Sequence, residues 1–168
     1  NLIKINSEFL SFKVDYDLLN KSAFKHDTSF KINMPLNWET IDSTSKSLIN
    51  QNSSQSIISL DFLEGFQSQN LSSCLIYKVN SKKQNFQYLP EGYVTLLKDQ
   101  FSVDKINIAE YRYNSNSYKQ FIIVNEKITL IKLFVNGINN YQVDFFIPNQ
   151  NYQSEIANIE SSIGSINQ

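Results

Sequence analysis

The chain has 168 residues, 41% of them hydrophobic and 13% aromatic, with 15 basic against 16 acidic side chains for a net charge of -1. This composition suits one globular domain that buries a core without staples, and it excludes a disordered chain. No basic patch steers a polyanion, so nucleic acid is excluded as a partner.

Leu2, Ile3 and Ile5 open the chain as a short apolar patch. Leu10, Phe12, Val14 and Tyr16 then alternate with Ser11, Lys13, Asp15 and Asp17, which predicts a half-exposed strand. His26, the only histidine, lies on a polar stretch and reads as a solvated surface residue. Phe30, Ile32 and Met34 predict a second strand ending at Pro35, which cannot donate to a ladder. Trp38 reads as an anchor folded back on the core, with ligand or partner stacking as its alternative role. Thr40 to Ser56 is polar and reads as a long connection, with a short helix near Lys46 to Asn50.

Ile57 to Phe62 and Leu71 to Val79 are strand candidates joined through Glu64 and Gly65. In the second of them Cys74 has apolar neighbours and reads as a buried strand residue. A helix follows, with Pro90 in its first turn, Glu91 at the positive end of its dipole, and Tyr93, Leu96, Leu97 and Phe101 on one face. Val103 to Tyr113 predicts a strand leading into the meander of Ser117 to Ile147. There, three β-branched and aromatic runs are separated by Asn125-Glu126 and by Asn136-Gly137, the latter a strong signal for a tight type I′ hairpin. Finally Tyr152, Ile156, Ile159 and Ile163 form one apolar stripe of a closing helix, with Asn149 or Asn151 as its cap and Gly164 as its stop.

Catalytic chemistry finds little support. One His and one Cys cannot supply the three or four ligands of a zinc site. The four glycines, at 65, 92, 137 and 164, are isolated, so no phosphate loop forms, and no cofactor is expected. Glu110, within Glu110-Tyr111-Arg112-Tyr113, is the most distinctive acidic context; it reads as an ion pair with Arg112 among half-buried tyrosines. Trp38, Glu110 and Arg112 are the candidate ligand or partner contacts.

Phe30-Lys31-Ile32 with Pro35 and Trp38, the middle helix of Leu89 to Phe101, and the finish Val135-Asn136-Gly137, Tyr141 to Pro148 and the striped helix ending at Ser162-Ile163 resemble the PsbP-like domains. That group includes the photosystem II extrinsic protein and the Ran-binding Mog proteins. The resemblance runs from Ser29 to Ile166; Asn1 to Asp27 departs from it as an added N-terminal strand. It implies an α+β fold, an antiparallel sheet with helices on both faces (an α/β/α sandwich), in a single domain over residues 1–168. It also implies a non-catalytic binding or assembly protein with a protein partner, extracytoplasmic, a bacterial lipoprotein or secreted protein, either secreted or tethered to a membrane through a lipidated residue upstream of Asn1. The alternative is a small-molecule carrier or small hydrolase whose cleft is lined by Glu110 and Arg112.

Overall fold

A computed structural model describes residues 6–7, 14–53, 58–80, 93–113 and 116–168. The strands are β1 (Asn6–Ser7), β2 (Phe24–His26), β3 (Phe30–Ile32), β4 (Glu39–Thr40), β5 (Leu60–Gln67), β6 (Ser73–Val79), β7 (Asn107–Tyr113), β8 (Asn116–Val124), β9 (Ile128–Asn136) and β10 (Asn140–Pro148). The helices are α1 (Ser43–Ser53), α2 (Tyr93–Phe101) and α3 (Tyr152–Gly164). Eight strands form one sheet in the order β1-β7-β8-β9-β10-β6-β5-β4, while β2 and β3 make a separate ribbon. Every pairing in the large sheet is antiparallel except that of β1 with β7.

The meander pairs as its runs require. β9 and β10 match Val143 to Leu133 and Phe145 to Ile131, so alternate residues reach opposite faces. On one face Ile131, Leu133, Val135, Tyr141, Val143, Phe145 and Ile147 meet Phe30 and Ile32 of β3 and Ile159 and Ile163 of α3. On the other, Leu130, Phe134, Phe121 and Ile123 meet Tyr93 and Leu97 of α2. Tyr93, Phe121 and Phe134 stack edge to face there, with centroids 5.7–6.0 Å apart. Helices thus cover both faces, and the α+β sandwich expected from the sequence is the fold observed.

Several local expectations are corrected. Asn136 ends β9 opposite Asn140, leaving Gly137, Ile138 and Asn139 as the loop. Asn136 is not among the residues with positive φ, so no two-residue type I′ turn forms there. The expected connection at Thr40 to Ser56 contains the eleven-residue α1. Its apolar stripe is nearly absent, and it is fixed from its ends and side instead: Asp42 accepts from the Ser45 amide at 2.8 Å, and Lys46 reaches Glu64 of β5 at 2.8 Å. The Ser45 amide and hydroxyl hold the Asp42 carboxyl below its ordinary range.

Glu64 and Gly65, expected to join two strands, lie inside β5 beside a bulge at Phe62/Glu64. A Cβ on Gly65 would come within 2.5 Å of Ile41 Cδ1 and 3.1 Å of Leu75 Cδ2, so glycine lets the Ile41 side chain lie directly on β5, and a larger residue would make it move. Tyr16, expected in a strand, sits in a 3-10 turn over Tyr16–Leu18, and the rest of that predicted strand lies mostly outside the described residues. The start of the middle helix at Pro90 and Glu91 also lies outside them.

α3 keeps its expected stripe but neither of its expected caps. A 3-10 turn (Asn149–Asn151) feeds directly into it, and Asn151 makes no capping bond. Asn149 turns instead to the β8–β9 loop and the start of β9, accepting from Thr129 Oγ1 at 2.8 Å and donating to the Asn125 carbonyl at 2.7 Å. Gly164 is the last helical residue, and the left-handed conformation falls on Asn167, with φ 57°. From there the Asn167 amide donates to the Lys31 carbonyl, while its side chain accepts from the Lys31 amide. Ser162 and Ser165 complete the seam, bonding the Asn33 carbonyl and amide at 2.7 and 2.9 Å. The β2–β3 ribbon and the end of α3 are therefore stitched together on the same face of the sheet.

The α2 face also holds a polar core. Lys132 and Asp144, opposite each other on β9 and β10, pair at 3.0 Å with side chains only 10% and 6% exposed. Burial pushes the hydroxyls of Tyr77 and Tyr93 well above their ordinary range, and the charge of Asp144 adds to the shift.

Candidate functional site

The densest cluster of chemically capable side chains among the described residues lies where the β2–β3 turn meets the start of β10. His26 pairs with Phe30 across the ribbon, leaving Asp27, Thr28 and Ser29 as the turn. Asp27 takes a left-handed backbone, φ 45°, and its Oδ1 accepts from the Ser29 amide at 2.7 Å and the Ser29 hydroxyl at 2.5 Å. Such side-chain bonding to the backbone two residues on is the reason Asp is favoured in turns.

Tyr141 supplies the other half. Its ring lies in the core against Phe30, with centroids 4.5 Å apart, while its hydroxyl reaches out to Ser29 Oγ at 2.7 Å and to both Asp27 oxygens at 3.3 Å. Asn139 Nδ2 donates to Ser29 Oγ at 3.0 Å, and His26 Nδ1 lies 3.2 Å from the Tyr141 hydroxyl. His26 Nδ1 and Lys78 Nζ stand 3.5 and 3.8 Å from Asp27 Oδ2. His26, expected on the open surface, is thus a partly covered member of this cluster. Burial raises the Tyr141 hydroxyl above its ordinary range, and the Asp27 charge works in the same direction.

Chemically the cluster is a clasp. Ser29 gives its hydroxyl proton to Asp27 and accepts from Asn139. Asp27 is held below the ordinary carboxylate value of 3.8, first by the Ser29 hydroxyl and then by the Ser29 amide. A carboxyl depressed in the folded state adds stability that is present above its unfolded value and lost as pH falls through its folded one. Acid titration of folding should therefore show the natural chain losing stability below about pH 3.8 in a component that Asp27→Asn lacks. Identical acid limbs would mean that Asp27 is not tied to the turn.

Beside the clasp a cleft of about 580 Å³ is lined by Lys25, Asp27, Lys31, Gly137, Ile138 and Asn167. Ile138, at the tip of the β9–β10 loop, is 94% exposed. A wider, shallower groove of about 1020 Å³ runs between the end of α2 and the β8–β9 turn, past Phe101, Val103, Ile122 and Val124. Among the described residues no group of three or more His, Cys, Asp or Glu could hold a metal.

Of the residues singled out from sequence, Trp38 and Glu110 lie apart. Trp38 is 6% exposed and meets Phe145 edge to face at 6.2 Å, on the core face shared with α3. Glu110 lies on β7 opposite Lys119 of β8, and those two form the ion pair at 3.4 Å. Directly opposed cross-strand neighbours of opposite charge approach closely enough to pair in this way. The Arg112 side chain lies outside the described ones, and neither cleft is lined by Glu110. The Asp27 clasp went unseen in sequence because its members come from residues 26–29, 78 and 139–141, which only strand register unites. The Asp27-Thr28-Ser29 spacing, an Asx-turn pattern, was its one local signal.

No family model matches the chain, and no curated protein matches it by sequence. Among the described residues no helix is long and apolar enough to cross a membrane. Among solved structures, the chain is similar to the solution structure of cyanobacterial PsbP (CyanoP) from Synechocystis sp. PCC 6803. The two share 10% sequence identity with a TM-score of 0.56, over 86% of this chain and 90% of that one. The chain has a PsbP-like fold.

Proposed function

We propose that the chain is a non-catalytic binding or assembly domain that works outside the cytoplasm, tethered to a membrane through a lipidated residue upstream of Asn1. The observation that carries the binding or assembly part of this reading is the likeness to cyanobacterial PsbP across most of both chains. The contact surface is the end of the sandwich around the cleft, where Ile138 projects from the β9–β10 loop beside Lys25 and Lys31. A large apolar side chain on a polar rim is the composition of a protein-contact centre.

The test has two arms. Expressed from its own gene, the chain is expected to sediment with membranes and to resist release by salt. In chemical cross-linking it should capture one reproducible protein, and Ile138→Asp should abolish that capture without changing the melting temperature. A chain found wholly in the cytosolic fraction would contradict the location, and capture unaffected by Ile138→Asp would remove this end as the contact.

A further inference from the structure

The β2–β3 ribbon sets two like charges against each other. Its register places Lys25 directly across from Lys31. Phe30 and Ile32 turn into the core, so the two lysines share the outer side of the ribbon, where both line the cleft beside the clasp. Like charges directly opposite on paired strands cost stability. Among the described residues no carboxylate pairs with either ammonium.

The acid nearest in the chain is already committed. Asp27 lines the same cleft, yet its Oδ1 accepts from Ser29 and its Oδ2 faces Asn139, His26 and Lys78. Lys31 is fixed in place: its amide and carbonyl are both bonded to Asn167, and its Nζ donates to the Gln168 carbonyl. The ribbon therefore keeps two cations together on a held backbone with no anion of its own between them. Ile138, 94% exposed, lines the same cleft.

We propose that this cleft takes an acidic segment of a protein partner, whose carboxylates meet Lys25 and Lys31 while a neighbouring apolar side chain lies on Ile138. The proposal rests on the contact end named above and gives its partner a chemistry. A bound carboxylate relieves the repulsion that the free ribbon carries. Charge complementarity of this kind speeds encounter and selects the partner. Two lysines on a chain of net charge -1 do not make a nucleic-acid surface, whose affinity draws on many phosphate contacts.

The probe is a short acetylated peptide amide alternating Glu with Leu, titrated into the isotope-labelled chain and followed by nuclear magnetic resonance. The same peptide with Gln for Glu, and inorganic phosphate, are the controls. The acidic peptide is expected to shift the amides of Lys25, Lys31, Gly137 and Ile138, less so as salt rises, and the Gln peptide to leave them unmoved. Lys25→Glu sets opposite charges across the ribbon, so it should raise the melting temperature while weakening the acidic peptide about fivefold or more. Lysines that only solvate the surface give no such opposed effects. Absence of binding, shifts confined to other residues, or full affinity in Lys25→Glu would overturn the proposal. Phosphate moving the same amides as strongly as the peptide would overturn it in favour of a phosphate ligand. Cross-linking separates this proposal from the reading it rests on. Capture lost in Ile138→Asp but kept in Lys25→Glu removes the acidic segment alone, and capture indifferent to both removes this end as the contact.

Discussion

Asp144→Ala is expected to cost about 3–5 kcal/mol of folding stability, because it leaves the Lys132 ammonium without its partner on a face covered by α2. Urea unfolding measures it as a lower midpoint at unchanged slope. The matched control is Glu110→Ala. Its carboxylate, 40% exposed, also pairs with a cross-strand lysine, and its loss should cost under about 1 kcal/mol. Two pairs of the same chemistry in the same sheet thus separate on burial alone. Equal costs would mean that Lys132 reaches water and that α2 does not close this face.

The second large effect is at α3. Ile159 is 0% exposed and meets the Tyr141, Val143 and Phe145 face of β10, so Ile159→Ala should cost about 2–5 kcal/mol through lost burial and the cavity left behind. Ile156, one turn earlier, is only partly buried, and its truncation should cost clearly less. Thermal or urea unfolding of the two variants gives the comparison. A cost at Ile156 equal to that at Ile159 would mean that the helix is rotated from the orientation described.

The parts of the fold legible in sequence are those where one residue type repeats at a fixed period over a long run. The third meander strand reads Tyr141, Val143, Phe145 and Ile147 on one side, and all four are fully buried. The α3 stripe survived in the same way, because its isoleucines lie flat on that surface. α1 was illegible as a full helix since polar residues dominate it, and its stability comes from Asp42 at one end and from Glu64, eighteen positions beyond Lys46, at its side. The insertion of β6 beside β10 was equally hidden, since it pairs Cys74 with Phe145 across a long stretch of intervening chain.

Polar burial explains the rest. Gln142 and Asp144 alternate with the apolar side of β10, yet they are only 3% and 4% exposed, on the face that carries the second apolar cluster. Glu155 lies in the first turn of α3, yet it is 3% exposed and accepts from Ser68 Oγ at 3.0 Å in the β5–β6 loop. The site was less legible than the fold for the same reason. Trp38 and Glu110 stood out by residue type, whereas the clasp depends on two turns and the end of β6 meeting at one end of the sandwich.

Native-state hydrogen exchange puts the whole arrangement to the most direct test, since the β2–β3 ribbon, α3 and the central strands are described as one cooperative body closed on one face of the sheet. The amides of Val143 and Phe145 in β10, of Ile159 and Ile163 in α3, and of Asn33, which donates to Ser165 Oγ, should exchange only through global opening, with a common free energy and denaturant dependence. Exchange of α3 and Asn33 through a separate low-energy opening, with β10 still protected, would contradict it.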